Sequence, residues 1–203
     1  MPRNLVLFDL EWNIGYQPFI FNYHGVQQTF RGEIIEIGAV KVVDGVITDK
    51  FSTFVNPDVP IPFDIEKLTS INDSMVRDAP PIEVILPQFL DFCQDAVLVA
   101  HNANFDMSFI MENAKRQGIS RKFTFVDTLG IARALLTHQA KHTLDAVAKT
   151  LSISLENHHR AVDDAECTAH IFLKFSAMLR ERGADTLSRI NALGESSPDI
   201  IKS

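Results

Sequence analysis

Apolar residues along the chain alternate between short runs and longer segments with helical spacing. Five runs have the length and composition of β-strands, and they lie at 4–12, 32–45, 46–56, 96–102 and 123–129. Asp44 and Gly45, where the second run gives way to the third, are typical of a β-hairpin turn. The order of the runs predicts a three-stranded meander followed by a βαβ unit.

Between and after the later strands, the spacing of the apolar residues predicts helices. We predict two short helices around a Pro-Pro pair within 72–94, and further helices at 104–119, 128–137, 143–151 and 161–182. This order favours a mixed sheet covered by helices. The chain is therefore predicted to be one α/β domain over residues 1–182, a five-stranded mixed sheet flanked by helices. The tail at 183–203 is predicted to be partly disordered.

Composition narrows the class of protein. Hydrophobic residues make up 46 % of the 203 residues and charged residues 22 %, which is ordinary for a globular protein. Asp9 and Glu11 interrupt the first apolar run, so it does not resemble a signal peptide, and no run approaches the roughly 20 apolar residues of a membrane span. The two cysteines show no metal-binding spacing. We expect a cytoplasmic protein without membrane association.

The net charge of −7 argues against a broadly basic surface of the kind that binds duplex nucleic acid. It does not exclude a nucleic-acid substrate, because a carboxylate-rich site neutralised by cations would contribute to this charge. Candidate carboxylates for such a site lie in three parts of the sequence.

The first pair of acids, Asp9 and Glu11, stands two residues apart on the first predicted strand, so both side chains point to one face. Burial of two like charges is costly unless something compensates them. A divalent cation with oxygen ligands, Mg²⁺ or Mn²⁺, would do so. The alternative is that one acid faces solvent and the other caps a loop.

Asp106 follows the strand at 96–102 and lies in the first turn of the next helix. An acid there is also favoured by the helix dipole alone, so its position has a purely structural explanation. However, ligands of open α/β sheets bind at the carboxyl ends of the strands. Both acidic segments lie at such ends, which favours one shared site.

The stretch "NHHRAVDDAE" at 157–166 carries two histidines and two aspartates. Helical phase places Asp164 about 60° from the centre of the apolar stripe and Asp163 about 160° from it. Asp164 is therefore predicted to face the other acids, or to be a boundary residue of the helix start. The histidines precede the helix, so phase does not choose between them. If the five-residue spacing matters, His159 is the partner of Asp164 and suits a general base.

Three motifs in this order resemble a known family. "FDLEW" at 8–12, "AHNANFDMSFI" at 100–110 and "HRAVDDAECTA" at 159–169 are similar to the motifs of the DnaQ-like 3′–5′ exonucleases, the DEDDh group of the ribonuclease H-like fold. The resemblance extends over residues 4–182. It is strongest to the exonuclease domains of PolC-type polymerases and to the proofreading epsilon subunit of DNA polymerase III.

The resemblance implies a ribonuclease H-like sheet and a specific set of site residues. Asp9, Glu11, Asp106 and Asp164 would hold two divalent cations, Mg²⁺ or Mn²⁺, and His159 would activate water. The products would be nucleoside 5′-monophosphates, released one at a time from a single-stranded 3′ end.

The resemblance also implies substrate contacts. Phe105, Leu68 and Thr69 match positions that contact the terminal nucleotides in family members, although Phe105 could equally pack in the core. Trp12 stands where most members have Thr, and it could stack on a base or pack at the strand end. The segment 13–31 is longer than the usual connection and rich in aromatic residues. It is either a lid or stacking platform over the substrate, or an added hairpin on the domain edge.

The leading functional prediction is a 3′–5′ exonuclease acting on single-stranded ends, with DNA favoured over RNA, in proofreading or repair. A DNA polymerase is the candidate partner. One alternative is an exoribonuclease that trims RNA 3′ ends. A second, of a different class, is a non-catalytic nucleic-acid-binding module associated with a polymerase. The sequence makes no prediction about oligomeric state.

Overall fold

A mixed sheet of six strands forms the centre of the protein, in the order β3-β2-β1-β4-β5-β6. The computed structural model describes residues 4–23, 26–155, 157–183 and 201–202, and only the backbone at 16, 17, 21–23, 201 and 202. The strands are β1 (Asn4–Tyr23), β2 (Val26–Val43), β3 (Val46–Phe54), β4 (Val97–Ala100), β5 (Phe125–Asp127) and β6 (Ile201–Lys202). β1 pairs antiparallel with β2 and parallel with β4.

Helices cover both faces of this sheet. They are α1 (Phe63–Thr69), α2 (Asp73–Val76), α3 (Ile82–Cys93), α4 (Ala103–Arg116), α5 (Thr128–Leu135), α6 (Leu144–Thr150) and α7 (Ala161–Glu181). Leu5 and Leu7 of β1 pack with α5, α6 and α7, whereas Val6 and Phe8 pack with α3 and α4. β1 is therefore apolar at successive positions because both of its faces are buried.

The predicted α/β architecture is confirmed: the five predicted strands form β1 to β5, and β6 adds two residues beside β5. The predicted helix at 161–182 corresponds to α7. The predicted disorder of 183–203 falls mainly on residues 184–200, which lie outside the described part of the chain. No helix within the described ranges combines the length and the apolar character that a membrane crossing requires.

Two features were not predicted from the sequence. The prolines at 57, 60 and 62 do interrupt regular structure, but α1 begins directly after Pro62, which is its N-cap. Proline is compatible with a helix start because the first helical N–H groups have no partner within the helix. The break is therefore followed at once by a helix.

The second feature concerns the segment 13–31. β1 and β2 do not end near residues 12 and 32 but continue as a paired extension, from Pro18 opposite Arg31 to Tyr23 opposite Val26. Register shifts interrupt the pairing after Glu11 and Asn13. The predicted hairpin geometry of this segment is confirmed, and the role of a lid or stacking platform stays a prediction. We call residues 13–23 and 26–31 the ribbon.

A close approach between β2 and α7 fixes the position of the long helix. A Cβ atom built on Gly38 would lie 2.0 Å from both the carbonyl carbon of Ala161 and the nitrogen of Val162. Backbone therefore packs against backbone where α7 begins. Only glycine leaves enough space at this position, and the contact sets where the first turn of α7 lies above the sheet.

We expect Gly38→Ala to lower the free energy of unfolding by about 3 kcal/mol or more, because backbone at both sides must move apart. Thermal unfolding measures this loss. Gly118→Ala is the matched control, since a Cβ there has no neighbour within 4 Å although the backbone has φ +67°; its cost should be about 1 kcal/mol. Equal destabilisation by the two substitutions would contradict the close-approach explanation.

Candidate active site

Three carboxylates converge where β1 passes beneath α7. Asp9 and Glu11 project from β1, and Asp164 lies in the first turn of α7. One oxygen of each carboxylate lies within 4.8 Å of the others. Asp164 is only 3 % exposed, whereas Asp163 is partly exposed. The inward orientation that helical phase predicts for Asp164 is confirmed.

Asp106 approaches the same place from the other side of the strand. It lies in the first turn of α4, is buried, and its carboxylate accepts a hydrogen bond from the backbone N–H of Leu10. Its negative charge raises the pKa of Asp9 and, after the charges of Asp164 and Glu36, that of Glu11. The structure thus places all four predicted acids around β1 at residues 9–11, just before the register shift that follows Glu11.

The acids strongly perturb one another. Burial first, and then the charges of Asp106 and Glu11, raise the pKa of Asp9 well above its ordinary value. Burial and the charge of Asp164 raise the pKa of Glu11 to about 8, and burial raises that of Asp106 to about 8. Divalent cations relieve such repulsion, and a set of carboxylate oxygens suits Mg²⁺ or Mn²⁺. The residues present therefore fit the predicted cations.

This arrangement makes the stability of the cation-free protein depend on pH. The folded protein retains protons that the unfolded chain releases near pH 4, so it binds more protons between about pH 4 and pH 8. The free energy of unfolding must therefore fall as pH rises through this window. Even a loss of about 3 kcal/mol, smaller than these two pKa shifts together imply, would lower Tm by about 6 to 12 °C.

We accordingly expect Tm in EDTA to be lower at pH 8 than at pH 5, and Mg²⁺ or Mn²⁺ to raise it more at pH 8. Differential scanning fluorimetry measures both effects. Glu11→Gln should flatten the pH dependence, whereas Asp91→Asn, at an exposed position of α3, should leave it unchanged. A Tm that is insensitive to cations at pH 8 would contradict the proposed binding of cations by the four acids.

The two histidines occupy different positions around Asp164. Nδ1 of His158 lies 3.0 Å from Oδ1 and 3.1 Å from Oδ2 of Asp164. His159 donates its backbone N–H to Oδ2 at 3.1 Å. The two imidazole rings stack with their centroids 3.9 Å apart. One nitrogen of each ring and one oxygen of Asp164 lie within 4.8 Å of one another.

This geometry corrects the predicted side-chain pair of His159 and Asp164, because the imidazole that contacts the carboxylate belongs to His158. The physical reason is the left-handed backbone of His159, with φ +69°. It turns the N–H of His159, rather than its ring, towards Asp164. The catalytic role of His159 is a separate matter and stays a prediction. Burial and the charge of His158 lower the pKa of His159.

An ion pair between the buried Glu36 and the partly exposed Arg160, which the sequence interpretation missed, holds the start of α7. Glu36 lies opposite Glu11 in the β1–β2 register and is 1 % exposed. Its carboxylate accepts a hydrogen bond from Nη2 of Arg160 at 2.8 Å and one from the N–H of Ala161 at 3.0 Å. The charge of Arg160 also lowers the pKa of Glu11. An acid within an apolar strand, the signal that identified Asp9 and Glu11, would have found Glu36 as well.

A partly buried hydrogen-bond network fixes the turn between β4 and α4. Asp127 accepts the N–H of Asn102 at 2.9 Å, where the backbone has φ +69°. Nδ1 of His101 lies 3.0 Å from Oγ1 of Thr128, and Nε2 lies 2.7 Å from the carbonyl oxygen of His142. These contacts hold the segment that carries Asp106.

Trp12 and Phe105 lie together on the α4 side of β1. Their ring centroids are 5.7 Å apart and their planes are tilted by 64°. Both side chains are partly exposed. In the sequence, Trp12 comes directly after Glu11 and Phe105 directly before Asp106. Their substrate contacts stay a prediction, and packing accounts for part of their surface.

Leu68 and Thr69 have opposite orientations at the end of α1. Leu68 is 53 % exposed, whereas Thr69 is 3 % exposed. The hydroxyl of Thr69 donates to the carbonyl of Ile65 at 2.9 Å and accepts the N–H of Ile71 at 3.1 Å. The Thr69 side chain thus stabilises α1, and the Leu68 side chain is presented to solvent.

Comparisons with known proteins identify the family of this chain. The family described as Exonuclease, RNase_T, matches residues 8–172. A DNA polymerase III PolC-type of Caldanaerobacter subterraneus subsp. tengcongensis is 50 % identical over 171 residues, or 84 % of this chain. The aligned region is 12 % of that polymerase, so the chain spans a small part of this curated relative. The predicted family resemblance is confirmed.

Solved structures share the fold. Exonuclease X in complex with 5′ overhanging duplex DNA has a TM-score of 0.66 at 27 % identity, covering 93 % of this chain and 98 % of that one. The nuclease domain of 3′hExo, a DEDDh family member bound to rAMP, has a TM-score of 0.69 at 16 % identity, covering 90 % and 94 %. The second likeness concerns the fold alone, and together they confirm the predicted ribonuclease H-like architecture.

Proposed function

Because this chain belongs to the RNase_T exonuclease family, we propose that it hydrolyses phosphodiester bonds at the 3′ end of a nucleic-acid strand, releasing nucleoside 5′-monophosphates. The observation that carries the proposal is the convergence of Asp9, Glu11 and Asp164 within 4.8 Å, with Asp106 beside them. Four buried or half-buried carboxylates would destabilise the protein without a cation partner. A binding module without catalysis has no need for them.

The acids would hold two divalent cations, Mg²⁺ or Mn²⁺, which when bound neutralise charge on the scissile phosphate and stabilise the leaving 3′-oxygen. The ion pair between Glu36 and Arg160 positions the first turn of α7, and hence Asp164. His158 holds the Asp164 carboxylate in orientation through its Nδ1 contact. Glu36, Arg160 and His158 thus act by positioning Asp164, so its carboxylate is oriented before substrate binds.

His159 is the proposed general base. Its lowered pKa keeps the imidazole neutral at pH 7, and a neutral imidazole accepts a proton from the attacking water. Its side chain is partly exposed, so water reaches it. The stacked ring of His158 and the backbone bond to Asp164 restrict where the His159 ring lies.

We propose DNA as the substrate, with the terminal bases contacting Trp12, Phe105 and Leu68, and with the buried Thr69 supporting Leu68 from within α1. The DNA-bound Exonuclease X and the polymerase relative support this choice. Because the aligned region is a small part of that polymerase, the remainder of a PolC-type DNA polymerase is the proposed partner, and proofreading is the proposed role. Stacking on aromatic rings suits single-stranded ends, since every base has a stackable face.

A comparison of 5′-labelled DNA and RNA oligonucleotides of one sequence, with Mg²⁺ and with Mn²⁺, tests the proposal. We expect a ladder of products shortened one nucleotide at a time, with DNA lost faster than RNA and no loss in EDTA. Faster loss of RNA would identify an exoribonuclease, in which the pocket accepts the 2′-hydroxyl. Binding without any cation-dependent product would favour the non-catalytic module.

A further inference from the structure

The ribbon contributes an aromatic ring to the active-site side of the protein. Phe30, on the β2 strand of the ribbon, contacts four other rings. Its centroid lies 4.8 Å from that of Trp12, 5.4 Å from Phe105, 5.6 Å from Phe109 and 5.9 Å from Phe19. All four contacts are close to perpendicular, with planes tilted by 68° to 78°. Perpendicular packing fixes the planes of neighbouring rings.

These five rings form one group whose members differ in solvent exposure. Phe109 and Phe19 are buried, at 1 % and 5 % exposure, whereas Trp12, Phe30 and Phe105 are partly exposed. Phe109 belongs to α4, and its contact with Phe19 of the ribbon anchors the group there. The partly exposed rings pack on the α4 side of β1, and two of them are sequence neighbours of site acids, since Trp12 follows Glu11 and Phe105 precedes Asp106.

Phe30 connects the ribbon to Trp12 and Phe105. A two-stranded ribbon is only marginally stable without further packing, and Phe19 and Phe30 bind it to α4 through Phe109. The same Phe30 ring contacts the edge or face of both Trp12 and Phe105. A change in the ribbon therefore alters the orientation of the two rings that the proposed function places against the terminal base.

We propose that Phe30 is a positioning residue for nucleic-acid substrate: through it the ribbon holds Trp12 and Phe105 in the orientation that receives the base of a 3′-terminal nucleotide. This inference rests on the proposed exonuclease function. It concerns affinity for the base and not the hydrolytic step, because Phe30 is neither a proposed cation ligand nor the proposed general base.

The first test is kinetic. Phe30→Leu should raise KM for a single-stranded DNA oligonucleotide about tenfold, as expected for weakened base stacking, and should change kcat by less than about twofold. Phe51→Leu is the matched control, because Phe51 packs on Phe89 and Phe92 of α3 at 5.8 and 5.6 Å. Phe30→Tyr keeps the ring and should retain the KM of the unaltered protein. A KM for Phe30→Leu equal to that of Phe51→Leu would overturn the inference.

The second test uses fluorescence, since Trp12 is the only tryptophan of the chain. With Mg²⁺ present, dAMP should change Trp12 emission and deoxyribose 5-phosphate, which lacks a base, should not. Phe30→Leu should weaken the dAMP response about tenfold in apparent Kd, and Phe51→Leu should not.

The two proposals fail separately. Hydrolysis of oligonucleotides without any effect of dAMP on Trp12 emission would overturn the role of Phe30 and leave the exonuclease function intact. A base-dependent, Phe30-dependent response in a protein that hydrolyses neither DNA nor RNA would support the base site and overturn the exonuclease function.

Discussion

Asp164→Asn is expected to reduce the rate of hydrolysis of a 5′-labelled oligonucleotide by about a thousandfold or more. Asn has nearly the same shape as Asp but no charge, so it would remove one carboxylate from the group formed with Asp9 and Glu11. Cation-assisted stabilisation of a phosphoryl transition state is worth several kcal/mol, and about 1.4 kcal/mol corresponds to tenfold in rate. Rates of nucleotide release with Mg²⁺, under saturating substrate, measure the loss.

The fold of this variant should be intact. Asp164 raises the pKa of Asp9 and Glu11, so its neutralisation relieves repulsion, and Tm in EDTA at pH 8 should rise rather than fall. A low rate together with an unchanged or raised Tm therefore locates the effect in the site.

Asp163→Asn is the matched control for Asp164→Asn. The two residues are adjacent on α7, and the same substitution is made at each. Asp163 is partly exposed and Asp164 is buried, so the control should retain its rate within about twofold. Similar losses at both positions would contradict the assignment of Asp164 as the inward ligand.

Periodicity predicted the parts of this site that depend on regular structure. Asp9 and Glu11 share a face because strand side chains alternate, and Asp164 turns inwards because of its phase on α7. The same reasoning did not extend to His158 and His159, since they precede the helix. There the left-handed backbone at His159 decides which ring contacts Asp164, and no periodic pattern encodes that angle.

Long-range pairing accounts for the other differences. Polar residues, Gly15 and Pro18 interrupt the apolar and aromatic residues of the ribbon, so the predicted apolar runs end at 12 and begin again at 32, although backbone pairing continues beyond them. Glu36 and Arg160 are 124 residues apart, and only the fold brings them together. The contact of Phe30 with Trp12 likewise depends on the register of the ribbon.

Substitution of the two histidines is expected to separate their roles. His159→Ala should reduce kcat by about 10²- to 10⁴-fold, because it removes the proposed general base. His158→Ala should cost only about tenfold, because it frees the Asp164 carboxylate to rotate without removing a proton acceptor for water. His158→Asn places an amide nitrogen near the Nδ1 position and should recover most of that loss.

The pH–rate profile distinguishes a base from an orienting residue. A general base must be neutral, so the rate should rise with pH through the pKa of His159, which lies below its ordinary value. His159→Ala should lose this acidic limb, whereas His158→Ala should keep it at a lower rate. If His158→Ala instead lost the limb and His159→Ala kept it, the imidazole in contact with Asp164 at 3.0 Å would be the base. His159 would then act through its backbone N–H alone, which no side-chain substitution removes.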